Sequence, residues 1–334
     1  MTTPSVSVIG AGGWGTALAL LMARRGVPVS LWGHDPSHIE AVRSARTNET
    51  YLPGIELPEP IRPTASLAEA AGAELLFVAV PSRYLAEVAA GLANASGSAT
   101  PVIVSCTKGI ERERGLLMSE VIAEQFPAAT LAVLSGPNLA GEIARGIPAA
   151  AVVGSDDGEA LCRVQGLFEG TAFRIYTSSD LRGIQLGGAL KNVFAIAAGV
   201  SDGLGLGENA RAALVTRALA EMTRLGAAMG GHRETFRGLS GAGDLMVTCF
   251  SDRSRNHQVG FRLGRGETLD AITASMAAVA EGIPTAASAL ASAERLGVET
   301  PIIREVHALL RGETTPSRGM QALMNRQLRA EEDL

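Results

Sequence analysis

The sequence predicts an α/β fold in which a doubly wound sheet is followed by an all-α domain. Short apolar runs alternate with helical patterns up to about residue 180, and long Ala- and Leu-rich helical patterns then replace them. Strands that alternate with helices indicate parallel pairing. A chain of 334 residues is also long for one core, so we expect two domains, at residues 1–180 and 181–334.

Individual elements follow from runs of β-branched or helix-forming residues. The candidate strands are Ser5–Ile9, Val29–Trp32, Leu75–Val80, Val102–Ser105, Leu131–Leu134, Ala149–Val153 and Arg174–Tyr176. Helical patterns between them include Trp14–Arg25, Pro36–Arg46 and Leu116–Gln125. The second domain has helical patterns at Asp180–Val200, Asn209–Met229, Gln258–Leu263, Thr285–Leu296 and Ile302–Leu310.

Composition argues against several classes of protein. The chain is 46% hydrophobic and 19% charged with a net charge of −5, whereas broad binding to nucleic acid or anionic membrane needs a basic surface. This composition does not exclude a small basic pocket for an anionic metabolite. In the N-terminal apolar run the arginines come last and glycines interrupt it, so we expect a cytoplasmic protein without stable membrane insertion. Three scattered cysteines and five histidines match no ligand spacing, so no metal is expected.

A glycine loop follows the first strand. Strand SVSVI leads directly into GAGGWG, residues 10–15, and then into the helical run TALALLMARRG. Gly10 would allow the tight turn, Gly12 the approach of a pyrophosphate, and Gly15 the close packing of helix on strand. The helix N-terminus would offer N–H groups to the phosphates. This context predicts a Rossmann-type dinucleotide site; the alternative is an ordinary glycine-rich turn.

The end of the second strand bears on the choice between NADH and NADPH. Asp35 lies twenty residues after Gly15, where an acidic residue often binds the ribose 2′-hydroxyl of NAD. Asp35 also precedes Pro36 and could cap a helix, which would leave His34 free to meet a 2′-phosphate. The sequence favours NADPH, with NADH as the alternative.

Two later strand ends carry unusual residues. VIVSCTKG places Lys108 just past a strand, and LAVLSGPNLAGEI places Gly136 and Asn138 in the same position. Ligands of open α/β sheets bind beyond the carboxyl ends of the strands. The alternatives are a solvated cation for Lys108 and a simple turn for Ser-Gly-Pro-Asn.

Only two of the 29 basic residues are lysine, namely Lys108 and Lys191. Lysine can lose its proton when buried and act as an acid or base, whereas arginine stays charged. Lys191 lies in the small and apolar stretch GGALKNVFAIAAG, with Gly187 and Ala195 one helical turn away on either side. We interpret this as a lysine in a pocket, and the alternative is a side chain that reaches water along the surface.

Six blocks of this sequence together resemble the bacterial NAD(P)-dependent glycerol-3-phosphate dehydrogenases. They are GAGGWGTALA, CTKG, SGPNLAGE, QLGGALKNVFAIAAG, GLGLGENARAALVTRALAEM and GLSGAGDLMVTCFSDRSRN, in family order over nearly the whole chain. The resemblance implies a cytoplasmic enzyme, often dimeric, that interconverts dihydroxyacetone phosphate and sn-glycerol 3-phosphate and supplies phospholipid synthesis.

The resemblance also implies roles for particular residues. Lys191 would be the catalytic acid/base, supported by Lys108 and by Asp244 in the GAGD turn. The substrate would be bound by Lys108, Gly136, Asn138, Lys191, Asp244, Ser254, Arg255 and Asn256. The cofactor would be bound by Gly10, Gly12, Gly13, Trp14, Gly15, His34, Lys108, Ala140, Arg255, Val279 and Glu281. The family usually has Ser or Thr at the positions of Gly13 and Asn138; either departure could alter a hydrogen bond, and neither removes a charged group.

Two other functions fit parts of this pattern. A β-hydroxyacid dehydrogenase would also join a Rossmann-type domain to helices and use a helix lysine, but the SGAGD and SRN blocks do not fit that class. A non-catalytic protein that senses NADPH would need the glycine loop but not Lys191. Consumption of NADPH with dihydroxyacetone phosphate separates these possibilities.

Overall fold

The computed structural model describes residues 4–97, 100–276, 280–328 and 330–331. Contacts divide the chain into two compact units. The first unit comprises Met1–Thr107 and Met118–Leu181, and the second comprises Lys108–Leu117 and Arg182–Leu334. The predicted single boundary near residue 180 differs from this division, because residues 108–117 belong to the second unit although they precede that boundary. Ile110 and Leu117 account for this, because both are buried in the helical core of the second unit.

The first unit is built from strands and helices in alternation. Its strands are β1 (Val6–Ile9), β2 (Val29–Trp32), β3 (Thr47–Asn48), β4 (Leu52–Glu56), β5 (Ile61–Thr64), β6 (Leu75–Val78), β7 (Val102–Ser105), β8 (Thr130–Ser135), β9 (Ala149–Gly154) and β10 (Phe173–Ser178). Its helices are α1 (Gly13–Ala23), α2 (Pro36–Ala45), α3 (Leu67–Ala71), α4 (Leu85–Ser96), α5 (Met118–Gln125), α6 (Ala140–Ala144) and α7 (Gly158–Gly166), with a 3₁₀ turn at Ser82–Tyr84.

Eight of these strands form one sheet in the order β10-β9-β8-β7-β6-β1-β2-β5, and β3 and β4 form a separate hairpin. Strand β1 lies near the centre, where Val6 to Ile9 pair in parallel with Val29 to Trp32 on one side and Leu75 to Val78 on the other. Helix α1 is apolar all round and almost wholly buried, as a helix packed on a sheet core must be. The predicted doubly wound fold is therefore confirmed.

Two details of the sheet differ from the sequence prediction. Strands β8 and β9 pair antiparallel, because residues 136–148 between them contain only the five-residue helix α6 and do not make a full crossover. Strand β5 was not predicted. It contains Pro63, which a sheet tolerates at its edge, and β5 is the edge strand beside β2.

The second unit is helical, and among its described residues only an isolated bridge between Ile110 and Leu117 has β character. A 3₁₀ turn at Arg233–Arg237 and a π-helical turn at Leu239–Gly243 interrupt it. Its helices are α8 (Leu181–Gly203), α9 (Glu208–Ala228), α10 (Asp244–Phe250), α11 (Arg255–Gly264), α12 (Leu269–Ala274), α13 (Gly282–Leu296), α14 (Pro301–Leu310) and α15 (Pro316–Met324).

Helix α8 is the centre of the second core. By length and composition it could cross a membrane, but its whole apolar window is buried inside the protein. The helix is surrounded by packed side chains of its own unit, including Val215, Leu245 and Ile303. This burial is typical of a core helix, and it places Lys191 in a water-poor environment.

Candidate active site

The glycine loop has the geometry that its sequence predicts. Gly10 has a φ of +123°, and a Cβ there would lie 2.6 Å from the carbonyl oxygen of Ala79. A Cβ at Gly15 would collide with the carbonyl oxygen of Gly10. The first and third glycines are therefore needed for the turn and for the packing of α1 on β1.

The second glycine faces open space. A Cβ at Gly12 would meet no atom within 4 Å, and α1 begins here with neither a side-chain cap nor an acidic residue in its first turn. Next to it, the buried Nε1 of Trp14 has no hydrogen-bond partner in the described part of the chain. Unpaired N–H groups at an open helix N-terminus suit a phosphate, so the loop fits the pyrophosphate of a dinucleotide.

Asp35 is committed to capping α2. Its Oδ1 accepts hydrogen bonds from the backbone N–H groups of Ser37 (2.9 Å) and His38 (3.3 Å) and from the Ser37 hydroxyl (2.7 Å). The Ser37 hydroxyl and these backbone bonds lower the pKa of Asp35. His34 beside it is exposed. With Asp35 engaged as a helix cap and His34 exposed, the two residues are arranged as in the sequence interpretation that favours NADPH over NADH.

Three further residues predicted for ligand binding lie in the first unit. Gly136 has a φ of +141°, and a Cβ there would lie 2.9 Å from the Cα of Ala151. Both amide atoms of Asn138 are buried without a partner among the described residues. Ala140 begins α6, and a Cβ at Gly13 would lie 3.8 Å from its Cβ. Asn138 therefore has a donor and an acceptor available for a ligand.

In the second unit, the ammonium groups of both lysines contact the carboxylate of Asp244. Lys191 Nζ lies 2.8 Å from Asp244 Oδ1, and Lys108 Nζ donates to Asp244 Oδ2. Asp244 is 1% exposed and Lys191 is 8% exposed. Lys108, for which the sequence favoured a ligand-binding role over that of a solvated cation, is mostly buried. Asp244 was predicted in a turn, but it begins α10 directly after the π-helical turn.

Thr248 completes this cluster and was not predicted. Its hydroxyl donates to the backbone carbonyl of Asp244 one helical turn back (2.6 Å) and accepts from Lys191 Nζ (2.7 Å). A lysine ammonium has three donors, and the third has no partner among the described residues. Lys191 is thus oriented by two groups and keeps one N–H for a ligand.

Burial and charge both act on the acidity of Lys191. Burial lowers its pKa to about 8, the neighbouring Asp244 carboxylate opposes that shift, and the Lys108 cation adds to it. Burial raises the pKa of the adjacent Cys249 to about 12, so that residue stays an uncharged thiol. An amine with a pKa close to neutral can both donate and accept a proton at working pH.

Gly187, one helical turn before Lys191, does not leave open space. A residue larger than glycine does not fit at position 187, because the backbone of Ser240 lies beside it. A Cβ at Gly187 would lie 2.6 Å from the carbonyl oxygen of Ser240. Farther along α8, a Cβ at Gly199 would collide with the carbonyl oxygen of His257 in α11, and one at Gly260 with that of Ile196. Helices α8 and α11 therefore touch backbone to backbone.

The N-terminus of α11 carries the next group of predicted residues. Ser254 caps the helix by accepting from the His257 N–H (3.2 Å). Asn256 donates to Asn192 Oδ1 (2.9 Å) and accepts from the Gly282 N–H (2.9 Å). Asn192, next to Lys191 in the chain, was not predicted. These bonds connect α8, α11 and α13.

Arg255 and Glu281 lie in the same unit. Arg255 begins α11 with much of its side chain exposed, but burial of its guanidinium end lowers the pKa of Arg255, and the charge of Glu281 opposes that shift. Glu281 immediately precedes α13. Val279 lies outside the described residues. Among the described residues, no group of three His, Cys, Asp or Glu could hold a metal ion.

Comparisons with known proteins show what the whole chain is similar to. The family model described as NAD-dependent glycerol-3-phosphate dehydrogenase N-terminus matches residues 5–161, and the corresponding C-terminus model matches residues 180–321. The chain is 47% identical to the glycerol-3-phosphate dehydrogenase [NAD(P)+] of Desulfotalea psychrophila, covering 98% of this chain and 99% of that relative. It is also 47% identical to the enzyme of that name from Geobacter sulfurreducens, covering 98% of each.

Solved structures agree as well. The crystal structure of glycerol-3-phosphate dehydrogenase from Coxiella burnetii superimposes with a TM-score of 0.93 at 36% identity, covering 97% of this chain and 99% of that one. The resemblance identified from sequence blocks is confirmed. The chain belongs to the NAD-dependent glycerol-3-phosphate dehydrogenase family.

Proposed function

We propose that the chain reduces dihydroxyacetone phosphate to sn-glycerol 3-phosphate, reversibly, with NADPH preferred over NADH. The observation that carries the proposal is the buried ammonium of Lys191, held by Asp244 Oδ1 and Thr248 Oγ1, with one N–H that no described residue accepts. When bound, the reduced nicotinamide supplies a hydride. The glycine loop, Trp14 and His34 would hold it.

Lys191 would act on the substrate carbonyl oxygen. Reduction of a ketone puts negative charge on that oxygen and requires a proton there. The third N–H of Lys191 can hydrogen-bond the oxygen as the charge develops and then transfer its proton. In the reverse direction the neutral amine accepts the proton from the alcohol. Asp244 would keep the ammonium aimed, and Lys108 would add positive charge.

Phosphate binding is the proposed role of the α11 N-terminus. Ser254, Arg255 and Asn256 offer a helix N-terminus and a guanidinium, which together suit a phosphate dianion. Gly136 and Asn138 would contribute further polar contacts to the substrate. Ala140, Val279 and Glu281 would contribute to the cofactor site. We also propose a cytoplasmic homodimer that supplies phospholipid synthesis, and light scattering at twice the chain mass tests the dimer.

A spectrophotometric assay tests the function. Purified protein should oxidise NADPH on addition of dihydroxyacetone phosphate, more slowly with NADH, and hardly at all with unphosphorylated dihydroxyacetone. Turnover of a β-hydroxyacid instead would support the rival dehydrogenase class. NADPH binding without turnover of any of these substrates would support a sensing protein.

A further inference from the structure

A segment of residues 46–57, here called the strap, is tied back on itself in the first unit. Arg46 has a left-handed backbone (φ 54°), and its guanidinium donates to the carbonyl oxygens of Leu57 (3.0 Å) and Ile61 (2.9 Å). The Leu57 N–H returns to the Arg46 carbonyl (2.7 Å). The β3–β4 hairpin lies inside this closure. The strap is therefore a defined structure and not a loose connection.

Asn48 joins the strap to the glycine loop. Its Nδ2 donates to the carbonyl oxygen of Ala11 (2.9 Å) and to the hydroxyl of Thr16 (2.8 Å), and the side chain is fully buried. A carbonyl oxygen only accepts, so the atom that faces Ala11 must be the amide nitrogen. Tyr51 of the strap also lies against the loop, since a Cβ at Gly13 would lie 2.9 Å from its carbonyl oxygen.

The bond to Ala11 determines where the next N–H points. The peptide between Ala11 and Gly12 is planar and trans, so its C=O and N–H point in opposite directions. Asn48 holds the carbonyl on the buried side. The Gly12 N–H must then point the other way, and it donates to no group in the described part of the chain. The space beside Gly12 is open.

The buried side chain of Asn48 carries an energetic cost. Its Oδ1 is buried without a partner among the described residues, and an unsatisfied buried acceptor destabilises the folded state. An apolar side chain would avoid that cost but would leave the Ala11 carbonyl unpaired. The donor function of Asn48 is what the site requires.

We propose that Asn48 is a positioning residue that aims the Gly12 N–H at the pyrophosphate of the dinucleotide. This inference rests on the proposed function, since it assumes that the loop binds a dinucleotide. Glycine freedom at residues 10–15 allows the Ala11–Gly12 peptide to flip. Asn48 selects the one peptide orientation in which the Gly12 N–H can donate to a phosphate. Part of the conformational ordering of the loop that binding requires is therefore already present in the free protein.

The test compares ligands with and without a pyrophosphate. NADPH contains one, whereas adenosine 2′-monophosphate presents the adenine, ribose and 2′-phosphate without it. Dissociation constants for both are measured by fluorescence and by competition, on wild type, Asn48→Ala and Asn48→Leu, with Asn94→Ala as an exposed asparagine control in the same unit. Asn48→Leu nearly keeps the side-chain shape but has no donor for the Ala11 carbonyl, so it covers the case in which Asn48→Ala fails to fold.

We expect both Asn48 variants to bind NADPH at least about tenfold more weakly, which is one decade or about 1.4 kcal/mol. Affinity for adenosine 2′-monophosphate should be unchanged, and Asn94→Ala should match wild type for both ligands. Equal losses for the two ligands, or a folded Asn48→Leu protein with wild-type NADPH affinity, would overturn the proposal. A wild-type protein that does not bind NADPH would instead refute the proposed function.

Discussion

Replacing Lys191 by arginine removes proton transfer while it keeps the positive charge. Lys191 has a pKa of about 8, and an arginine side chain stays protonated to above about 12, so the replacement is a weaker acid by at least about four units. At about 1.4 kcal/mol per unit this is roughly 5 kcal/mol of driving force for proton donation. We therefore expect kcat for reduction to fall by roughly 10²–10⁴, the usual worth of general acid catalysis.

Packing around Lys191 increases the loss. The ammonium fits between Asp244 Oδ1 and Thr248 Oγ1 at 2.8 and 2.7 Å, and the backbone of Ser240 fills the space at Gly187. A planar guanidinium fork does not fit that two-point arrangement. Lys191→Met keeps a linear stem and loses both charge and proton, so its kcat should be at least as low. NADPH affinity should hardly change in either variant, because the glycine loop belongs to the other unit.

Steady-state kinetics with NADPH and dihydroxyacetone phosphate measure these effects, and a melting curve and NADPH titration verify that each variant is folded. A folded Lys191→Arg enzyme that retains more than about a tenth of wild-type kcat, well above the expected range, would refute the proton-transfer role. Lys191 would then be a charge that arginine can replace.

Three further substitutions test the other proposed roles. Arg255→Ala should raise KM for dihydroxyacetone phosphate by about one to two decades, the worth of a charge-assisted phosphate contact, and should affect dihydroxyacetone far less; equal losses on both substrates would indicate a structural role. His34→Ala should lower kcat/KM for NADPH about tenfold, the loss of about 1.4 kcal/mol of binding, and leave that for NADH unchanged, so an unchanged cofactor ratio would contradict contact with the 2′-phosphate. Asp244→Asn removes the charge that raises the pKa of Lys191, so that pKa should drop below about 8. Because reduction needs the protonated amine, kcat/KM should then decline at lower pH than in wild type, and a pH profile that shifts upward or not at all would contradict the pairing.

Much of the fold follows from local sequence patterns. Strand β1, the glycine loop and α1 were predictable because an apolar strand, three glycines and an apolar helix follow one another without interruption. Strand β5 was not, because Pro63 is unfavourable in a strand and only its edge position makes it acceptable. The reversal between β8 and β9 depends on how far residues 136–148 can reach, which residue patterns alone do not express.

The candidate site divides in the same way. Lys191 and Lys108 were found because lysine is rare in this chain, and Asp244, Ser254 and Asn256 were found through the family blocks. Thr248 and Asn192 carried no signal of their own, because a threonine or asparagine within a helix is ordinarily a surface residue. Asn48, in the short strand β3, was missed because its importance depends on a contact across 37 positions of the chain.

The backbone contact between α8 and α11 sets a distance against which the length of a bound molecule can be compared. At Gly199 and Gly260 no side chains separate them, so no rotamer change can alter the distance between the two helix backbones there. If Lys191 and the start of α11 hold the carbonyl and the phosphate of one molecule, the number of carbons between them is limited by the main chain. Redesign toward a longer phosphorylated ketone would then have to move whole helices, and replacing the residues that line the site would not be sufficient.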